Sequence, residues 1–216
     1  MFTAILVPKG AEYKAVCQGV KTVKSPPVIF PIPMGVKPLT TYLQNWQKDH
    51  TIDRLLIMGL CGSLRPQYQI GDIVIYTDCL YNDQRISCDR PLTNYLLSKL
   101  PKAHLVKGLT TDQVISQTKE KIILGEKYQA DVVDMEGYAA LDLLGTKVHI
   151  SIVRVISDNC DYNIPDITLA INSQGNLQPL KLAKVMLQDI PGAIRLIQGS
   201  LTGLKVLENV TKLINT

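Results

Sequence analysis

Acidic residues follow three apolar runs of this sequence, at positions where they could take part in chemistry. In VVDMEGYAA, Asp134 and Glu136 flank Met135 at the end of an apolar run, just before a small-residue segment typical of a helix. Glu12 follows the run AILVP, and Asp158 follows the run HISIVRVIS. Because a buried carboxylate without a partner is costly, acids that converge at strand ends indicate a hydroxyl-bearing ligand or a catalytic task.

Each acid also has a simpler explanation. Glu12 and Glu136 could each lie in the first turn of a helix, where a carboxylate favours the positive end of the helix dipole. Asp158 could cap the next segment or close an Asx-turn. The stretch GLCGSL, residues 59–64, could be a tight turn that brings bare backbone close to a ligand. It lacks the GxGxxG spacing, so a dinucleotide site is not indicated.

The elements that must position these acids alternate along the chain. Strands that read as unbroken apolar runs, separated by helical patterns, predict a single α/β domain over residues 1–216, with a mostly parallel or mixed central sheet flanked by helices. In such sheets ligands bind outside the carboxyl ends of the strands, where these acids lie. The predicted strands are 4–8, 27–32, 54–59, 72–78, 104–109, 130–135 and 148–157. The predicted helices begin at 38, 92, 118 and 136, and helix fills most of 177–216, with a break near 191.

Composition excludes several classes of protein. The chain has 216 residues and a net charge of +4, from 23 basic and 19 acidic residues that are spread rather than clustered, so nucleic-acid binding is not indicated. Its five cysteines are scattered and never in CxxC spacing, which argues against a metal site and against disulfides. No run approaches the ~18 apolar residues of a membrane span, and no signal peptide is apparent. We expect a soluble, cytoplasmic protein without a membrane partner.

Two segments give a specific resemblance. DMEGYAALDL followed by VRVISDNCD resembles the signature of the purine nucleoside phosphorylase and methylthioadenosine/S-adenosylhomocysteine nucleosidase superfamily. Glu12 after the first strand, the segment MGLCGSL and the segment GDIVI match the same superfamily in type and order. The similarity spans roughly residues 4 to 161.

The resemblance implies an enzyme that cleaves the bond between a ribose carbon and a purine nitrogen. Met135 would pack under the ribose, and Glu136 would accept hydrogen bonds from its hydroxyls, which strengthen as the sugar becomes cationic. Asp158 would face the purine and supply the proton that makes it a better leaving group. Glu12 matches the acid that orients the attacking water in hydrolytic members.

The base-binding segment departs from the family pattern. Where many hydrolytic relatives carry an aromatic residue that stacks on the base, LTTDQVIS offers Val114 and Ile115. We expect these two residues, with Asp158, to contact the base. Which base is bound, and which group the ribose carries at its 5′ carbon, stay open.

The phosphate-binding positions depart as well. The hexameric phosphorylases carry Arg and Ser or Thr around the glycine segment, where this chain has Ile57 and Leu60. Ser63, Arg65 and Lys9 could substitute, so Lys9, Leu60 and Ser63 are candidates for a phosphate or water site.

Three functions remain open on these residues. The first is a nucleosidase that uses water, and the second is a phosphorylase with phosphate as co-substrate. The third is a nucleoside-binding or storage protein without turnover. We expect no cofactor and no metal, a small-molecule nucleoside as ligand, and a homo-oligomer, with a dimer favoured by the resemblance. The stretch PVIFPIPMGVKPL could contribute to the dimer interface, or could be buried strand.

Overall fold

The apolar runs form the strands of one central sheet, and the segments between them form its flanking helices. The computed structural model describes residues 4–215. The strands are β1 (Ala4–Pro8), β2 (Val28–Ile32), β3 (Arg54–Ser63), β4 (Ile73–Tyr81), β5 (Gln84–Ser87), β6 (His104–Thr110), β7 (Val132–Asp134) and β8 (His149–Asp158). The helices are α1 (Ala11–Gly19), α2 (Val36–Asp49), α3 (Arg90–Lys99), α4 (Thr118–Tyr128), α5 (Gly137–Leu144), α6 (Pro179–Gln188) and α7 (Ile190–Asn215), with a short 3₁₀ helix at Ile167–Ala170.

The sheet is mixed, and part of it closes on itself. β1 lies between β2 and β3 and pairs parallel with both. The pairings β3–β8, β8–β4, β4–β6, β6–β7 and β7–β3 then form a closed ring of five strands. Within this ring, Gly62 of β3 pairs with Val133 of β7 on one side and with Asp158 of β8 on the other. The ends of β7 and β8 therefore meet at the same end of β3.

Helices cover both faces of the sheet. In β1, Ala4 and Leu6 pack on one face while Ile5 and Val7 pack on the other, as the alternation of side chains along a strand requires. The first face is covered by α2 and α5, and the second by α1, α3 and α7. Within residues 4–215, none of the helices is both long enough and apolar enough to cross a membrane.

The predicted α/β domain with a mixed sheet flanked by helices is confirmed. Each predicted strand is present, with ends that differ by a few residues. The break predicted near Pro191 falls at Asp189, between α6 and α7. Pro191 itself lies in the first turn of α7, where its missing N–H removes no helical hydrogen bond.

The interpretation of GLCGSL as a turn is wrong. Strand β3 continues through this segment to Ser63, with a bulge between Cys61 and Gly62. The hairpin between β4 and β5 is absent from the prediction. Its two turn residues, Asn82 and Asp83, both have positive φ angles, 47° and 62°, as the type I′ turn of a short hairpin requires.

Candidate active site

A cavity of about 330 Å³ lies where β1, β3, β7 and β8 end. Four carboxylates are among its lining residues: Glu12, Asp134, Glu136 and Asp158. Among the described residues that line it, Lys9 is the one with a cationic side chain. The three acids that follow separate apolar runs in the sequence are thus brought to one site, together with a fourth.

Arg154 organises two of these carboxylates from behind. It lies on β8, is fully buried, and donates through Nη2 to Asp134 Oδ2 at 2.9 Å and to Glu136 Oε2 at 3.1 Å. Burial would lower the pKa of Arg154, but the neighbouring Asp134 and Glu136 carboxylates raise it, so the guanidinium stays charged. A buried cation with two carboxylate partners holds both acids in fixed positions.

Asp134 and Glu136 each have a second anchor. Asp134 Oδ1 accepts from Thr110 Oγ1 at 2.7 Å and from Gly137 N at 3.2 Å. Glu136 Oε1 accepts from Gly35 N at 3.2 Å. Burial raises the pKa of Glu136, and the Arg154 charge opposes this shift. The Asp134 side chain is fully buried, whereas that of Glu136 is 6% exposed, so Glu136 is the better placed of the two to accept hydrogen bonds from a ligand in the cavity.

Glu12 lies in the first turn of α1 and reaches across to β3. Its Oε1 accepts from Leu60 N at 2.7 Å. Burial raises the pKa of Glu12 to about 7, against the lowering effect of the Leu60 hydrogen bond. A carboxyl group with this pKa changes protonation near neutral pH, as a general base must.

The glycines of GLCGSL make room for the acids. A Cβ at Gly59 would lie 2.7 Å from Glu12 Oε1 and would collide with Arg154 Nη1. A Cβ at Gly62 would lie 2.8 Å from Asp158 Oδ2. The two glycines thus allow the backbone of β3 to lie close to the Glu12 and Asp158 side chains.

Asp158 ends β8 and has two side-chain neighbours. Its Oδ2 accepts a hydrogen bond from Lys121 Nζ, within an ion pair, and its Oδ1 accepts from Ser157 Oγ at 3.3 Å. The Asp158 side chain is 14% exposed, whereas that of Lys121 is fully buried. The Asp158 carboxyl group is therefore held by protein contacts on one side and is open to the cavity on the other side.

The residues expected to contact ribose and base also line the cavity. Met135 lies between the two anchored acids, and it also lines an adjacent cavity of about 410 Å³. Val114 and Ile115 line the main cavity, and Val114 N donates to Thr168 Oγ1 at 3.0 Å. Their aliphatic side chains offer an apolar surface to a bound ring.

The candidate phosphate or water ligands separate into two groups. Lys9 and Leu60 line the cavity. Ser63 and Arg65 are not among its lining residues: Ser63 Oγ donates to Arg65 O at 2.6 Å, and the Arg65 guanidinium donates to Gly125 O at 2.8 Å. The Arg65 side chain thus ties the segment after β3 to α4, while Ser63 bonds within its own segment. No group of three or more His, Cys, Asp and Glu side chains in residues 4–215 is arranged to hold a metal ion.

Sequence reasoning missed Arg154 and Lys121. Arg154 had a visible signal, since a single arginine inside the apolar run HISIVRVIS must be buried and needs acidic partners. Lys121 had none, because it lies in a helix with several other charged residues and looks solvated.

Comparison with known proteins agrees with this fold. A model of the Phosphorylase superfamily matches residues 9–171, and the chain belongs to this superfamily. Over 118 residues it is 30% identical to a DeoD-type purine nucleoside phosphorylase from Colwellia psychrerythraea strain 34H. That match covers 48% of this chain and 50% of the relative, so the chain corresponds to about half the relative's length.

Solved structures resemble the chain over nearly its whole length. A futalosine hydrolase of Helicobacter pylori strain 26695 has a TM-score of 0.71 at 14% identity, covering 98% of this chain and 95% of that chain. A 5′-methylthioadenosine/S-adenosylhomocysteine nucleosidase from Neisseria meningitidis, in complex with methylthio-immucillin-A, has a TM-score of 0.71 at 13% identity, covering 98% of this chain and 96% of that chain. At such low identity these similarities establish the fold.

Proposed function

We propose that this protein cleaves the N-glycosidic bond of a purine nucleoside and transfers the sugar to water. The observation that carries the proposal is the convergence of four carboxylates on one cavity, where Arg154 holds Asp134 and Glu136, and Lys121 holds Asp158. Such a site stabilises a sugar that becomes cationic as the bond breaks. Membership of the Phosphorylase superfamily supports the reaction class.

Each residue of the site has a separate role in this reaction. The bond between the ribose C1′ and a purine nitrogen breaks, and its electron pair leaves with the purine. Asp158 passes a proton to the purine, while Glu136 accepts hydrogen bonds from the ribose hydroxyls above Met135. Water oriented by Glu12 attacks C1′ and gives up a proton to Glu12, whose raised pKa suits this task.

The same charges favour water over phosphate as the acceptor. A phosphate dianion beside Glu12 and Glu136 would meet like charges at short range. The Arg154 guanidinium, which could offset them, bonds Asp134 and Glu136 through Nη2 and is not among the residues that line the cavity. Leu60 offers the site an apolar side chain, and its backbone N–H is taken by Glu12.

Phosphorolysis is the second candidate, because Lys9 lines the cavity and the DeoD-type relative is named as a phosphorylase. In that reaction phosphate is the co-substrate, and Lys9 is the residue placed to attract it. A nucleoside-binding protein without turnover would have no use for a leaving-group acid at Asp158.

The three functions differ in their products. Purine nucleosides with different 5′ substituents are incubated with the protein, with and without phosphate, and released base and sugar are quantified. We expect free base and free sugar at a rate that phosphate leaves nearly unchanged. A sugar 1-phosphate would establish the second candidate, and binding without released base would establish the third.

We further propose that the protein acts as a homodimer in a reducing cytoplasm. All five cysteines are free thiols, which supports a reducing compartment. The dimer rests on the family resemblance and on exposed apolar side chains near the C-terminus, which are considered in the Discussion.

A further inference from the structure

Lys121 is fully buried, and its position in α4 lowers the stability of that helix. It lies in the first turn of the helix, where a cation opposes the helix dipole. Burying its ammonium group also requires compensation by a charged partner. Helix stability therefore does not account for a lysine here.

The ammonium group is held against the end of β8. Lys121 Nζ is paired with Asp158 Oδ2 and also donates to Asn159 O at 2.8 Å. The missing Cβ of Gly62 leaves the space that the same oxygen, Asp158 Oδ2, needs. Lys121 thus fixes which oxygen of Asp158 points into the protein and leaves the other toward Ser157 and the cavity.

This pair bears on the source of the proton for the leaving purine. An ionised carboxylate alone has no proton to give. An ammonium–carboxylate pair carries one transferable proton, which rests on the nitrogen. A buried lysine surrenders a proton far more readily than arginine, which stays charged in proteins.

We propose that Lys121 is a positioning residue that acts through Asp158, orienting its carboxyl group and storing the proton that Asp158 passes to the purine. As the C1′–N bond breaks, the proton leaves Nζ for Asp158 and passes from Asp158 to the purine nitrogen. Lys121 is left as a neutral amine beside the Asp158 carboxylate. Asp158, which is 14% exposed, then takes a proton from solvent and passes it back to Lys121 Nζ. This step rests on the proposed nucleoside cleavage.

The test compares two substrates that differ in their need for a proton. Lys121→Met and Lys121→Gln both remove the ammonium group, and Lys119→Met is the matched control, because Lys119 is exposed on the same helix. Turnover is measured with a natural purine nucleoside and with its N7-methylated form, whose base departs without protonation. Thermal unfolding of each variant establishes that it is folded.

We expect both Lys121 variants to lose about 10²-fold or more in kcat on the natural nucleoside, with KM little changed, and to approach wild-type kcat on the N7-methylated one. Lys119→Met should match the wild type on both. Equal losses of the Lys121 variants on both substrates would show a purely structural role and overturn the proposal, as would unchanged turnover of the natural nucleoside.

A double substitution separates action through Asp158 from an independent effect. Lys121→Met added to Asp158→Asn should slow the natural reaction no further than Asp158→Asn alone, whereas multiplied losses would contradict the proposal. If the wild type releases no base from either substrate, it is the proposed function that fails, and this is seen before any variant is made.

Discussion

Glu12 lies where burial and a hydrogen bond act on the same carboxyl group with opposite sign. Burial raises its pKa to about 7. If Glu12 is the base that accepts a proton from water, it must be ionised in the free protein, and kcat/KM should fall roughly tenfold for each pH unit well below 7. The measurement is kcat/KM between about pH 5 and about pH 9.

Glu12→Gln is the control for this profile. Its amide oxygen can still accept from Leu60 N, but the side chain cannot take a proton. We expect kcat/KM lower by ~10²–10⁴-fold and independent of pH through this range. A wild-type profile that is flat below pH 7 would remove Glu12 from the role of base.

The same pKa predicts how stability depends on pH. Because the pKa is raised from 4.5 to about 7 on folding, the folded state holds this proton more tightly. The stabilisation is fully present below pH 4.5 and is lost as pH rises through about 7. It amounts to at most about 3 kcal/mol, and less because Glu12 is partly exposed to the cavity.

Chemical denaturation at a series of pH values measures this term. The free energy of unfolding of the wild type, relative to Glu12→Gln, should decrease between pH 4.5 and about 7. A difference that stays constant, or that increases with pH, would show that folding does not raise the pKa of Glu12.

Substitutions of Asp158 and of Glu136 should lower turnover for different reasons. Asp158→Asn removes the proton donor to the purine, so it should lose ~10²–10⁴-fold in kcat on a natural nucleoside and recover on the N7-methylated form. Glu136→Gln weakens the hydrogen bonds to the cationic ribose, so it should stay impaired on both. Equal recovery of the two variants would show that the acid is assigned wrongly.

At the scale of elements, β3 is the strand that sets the distance between the acids. A Cβ at Gly62 would lie 2.8 Å from Asp158 Oδ2 and 3.2 Å from Val133 Cγ1. Gly62→Ala should therefore displace Asp158 and cost about 1–3 kcal/mol of stability through overpacking. We expect a loss of turnover larger than instability alone explains.

A matched control separates these two effects. Leu100→Ala removes buried volume where the end of α3 packs on the second face of the sheet, and Leu100 is not among the cavity's lining residues. It should lower stability by about 2–5 kcal/mol while kcat at a permissive temperature stays near that of the wild type. If Gly62→Ala also keeps wild-type kcat, the glycine serves only strand packing.

Sequence predicted the elements whose apolar pattern is long and continuous. β1 and β8 are buried along nearly their whole length, so period and composition identify them. GLCGSL misled because glycine usually marks a turn, whereas Gly59 and Gly62 are needed here to clear side chains from distant elements. Such a need depends on tertiary contacts, which local pattern does not contain.

The site was accessible to sequence only in part. Glu12, Glu136 and Asp158 follow apolar runs, and the rule that ligands bind at strand ends selects them. The Lys121–Asp158 pair joins residues 37 apart in the chain, from a helix and a strand end. Its existence depends on how α4 packs on the ring of strands.

At the scale of the whole molecule, the closed ring of β3, β8, β4, β6 and β7 explains how like charges can be held together. Asp134 ends β7, Glu136 follows it, and Asp158 ends β8. Both strands pair with β3, and Arg154, on β8, bonds Asp134 and Glu136. Mutual repulsion would separate these carboxylates on flexible loops. Paired strands fix their positions, so the site is preorganised for a cationic sugar before substrate binds.

The surface near the C-terminus predicts self-association. Large apolar side chains are exposed there, including Ile194 at 50%, Leu201 at 62% and Leu180 at 88%. Ile194 and Leu201 are seven residues apart on α7, so they lie on one face of the helix. Exposed apolar patches of this kind are typical of interfaces between protein chains.

We therefore expect the wild type to sediment as a dimer at micromolar concentration, and the Ile194→Asp/Leu201→Asp double variant to sediment as a monomer. Burying two carboxylates in an apolar interface without partners is strongly unfavourable, which is the reason for the expected dissociation. Val28→Asp is the comparison, because Val28 is 57% exposed within the stretch PVIFPIPMGVKPL. If Val28→Asp alone causes dissociation, the interface lies at the edge strand β2. A wild type that sediments as a monomer would contradict the dimer.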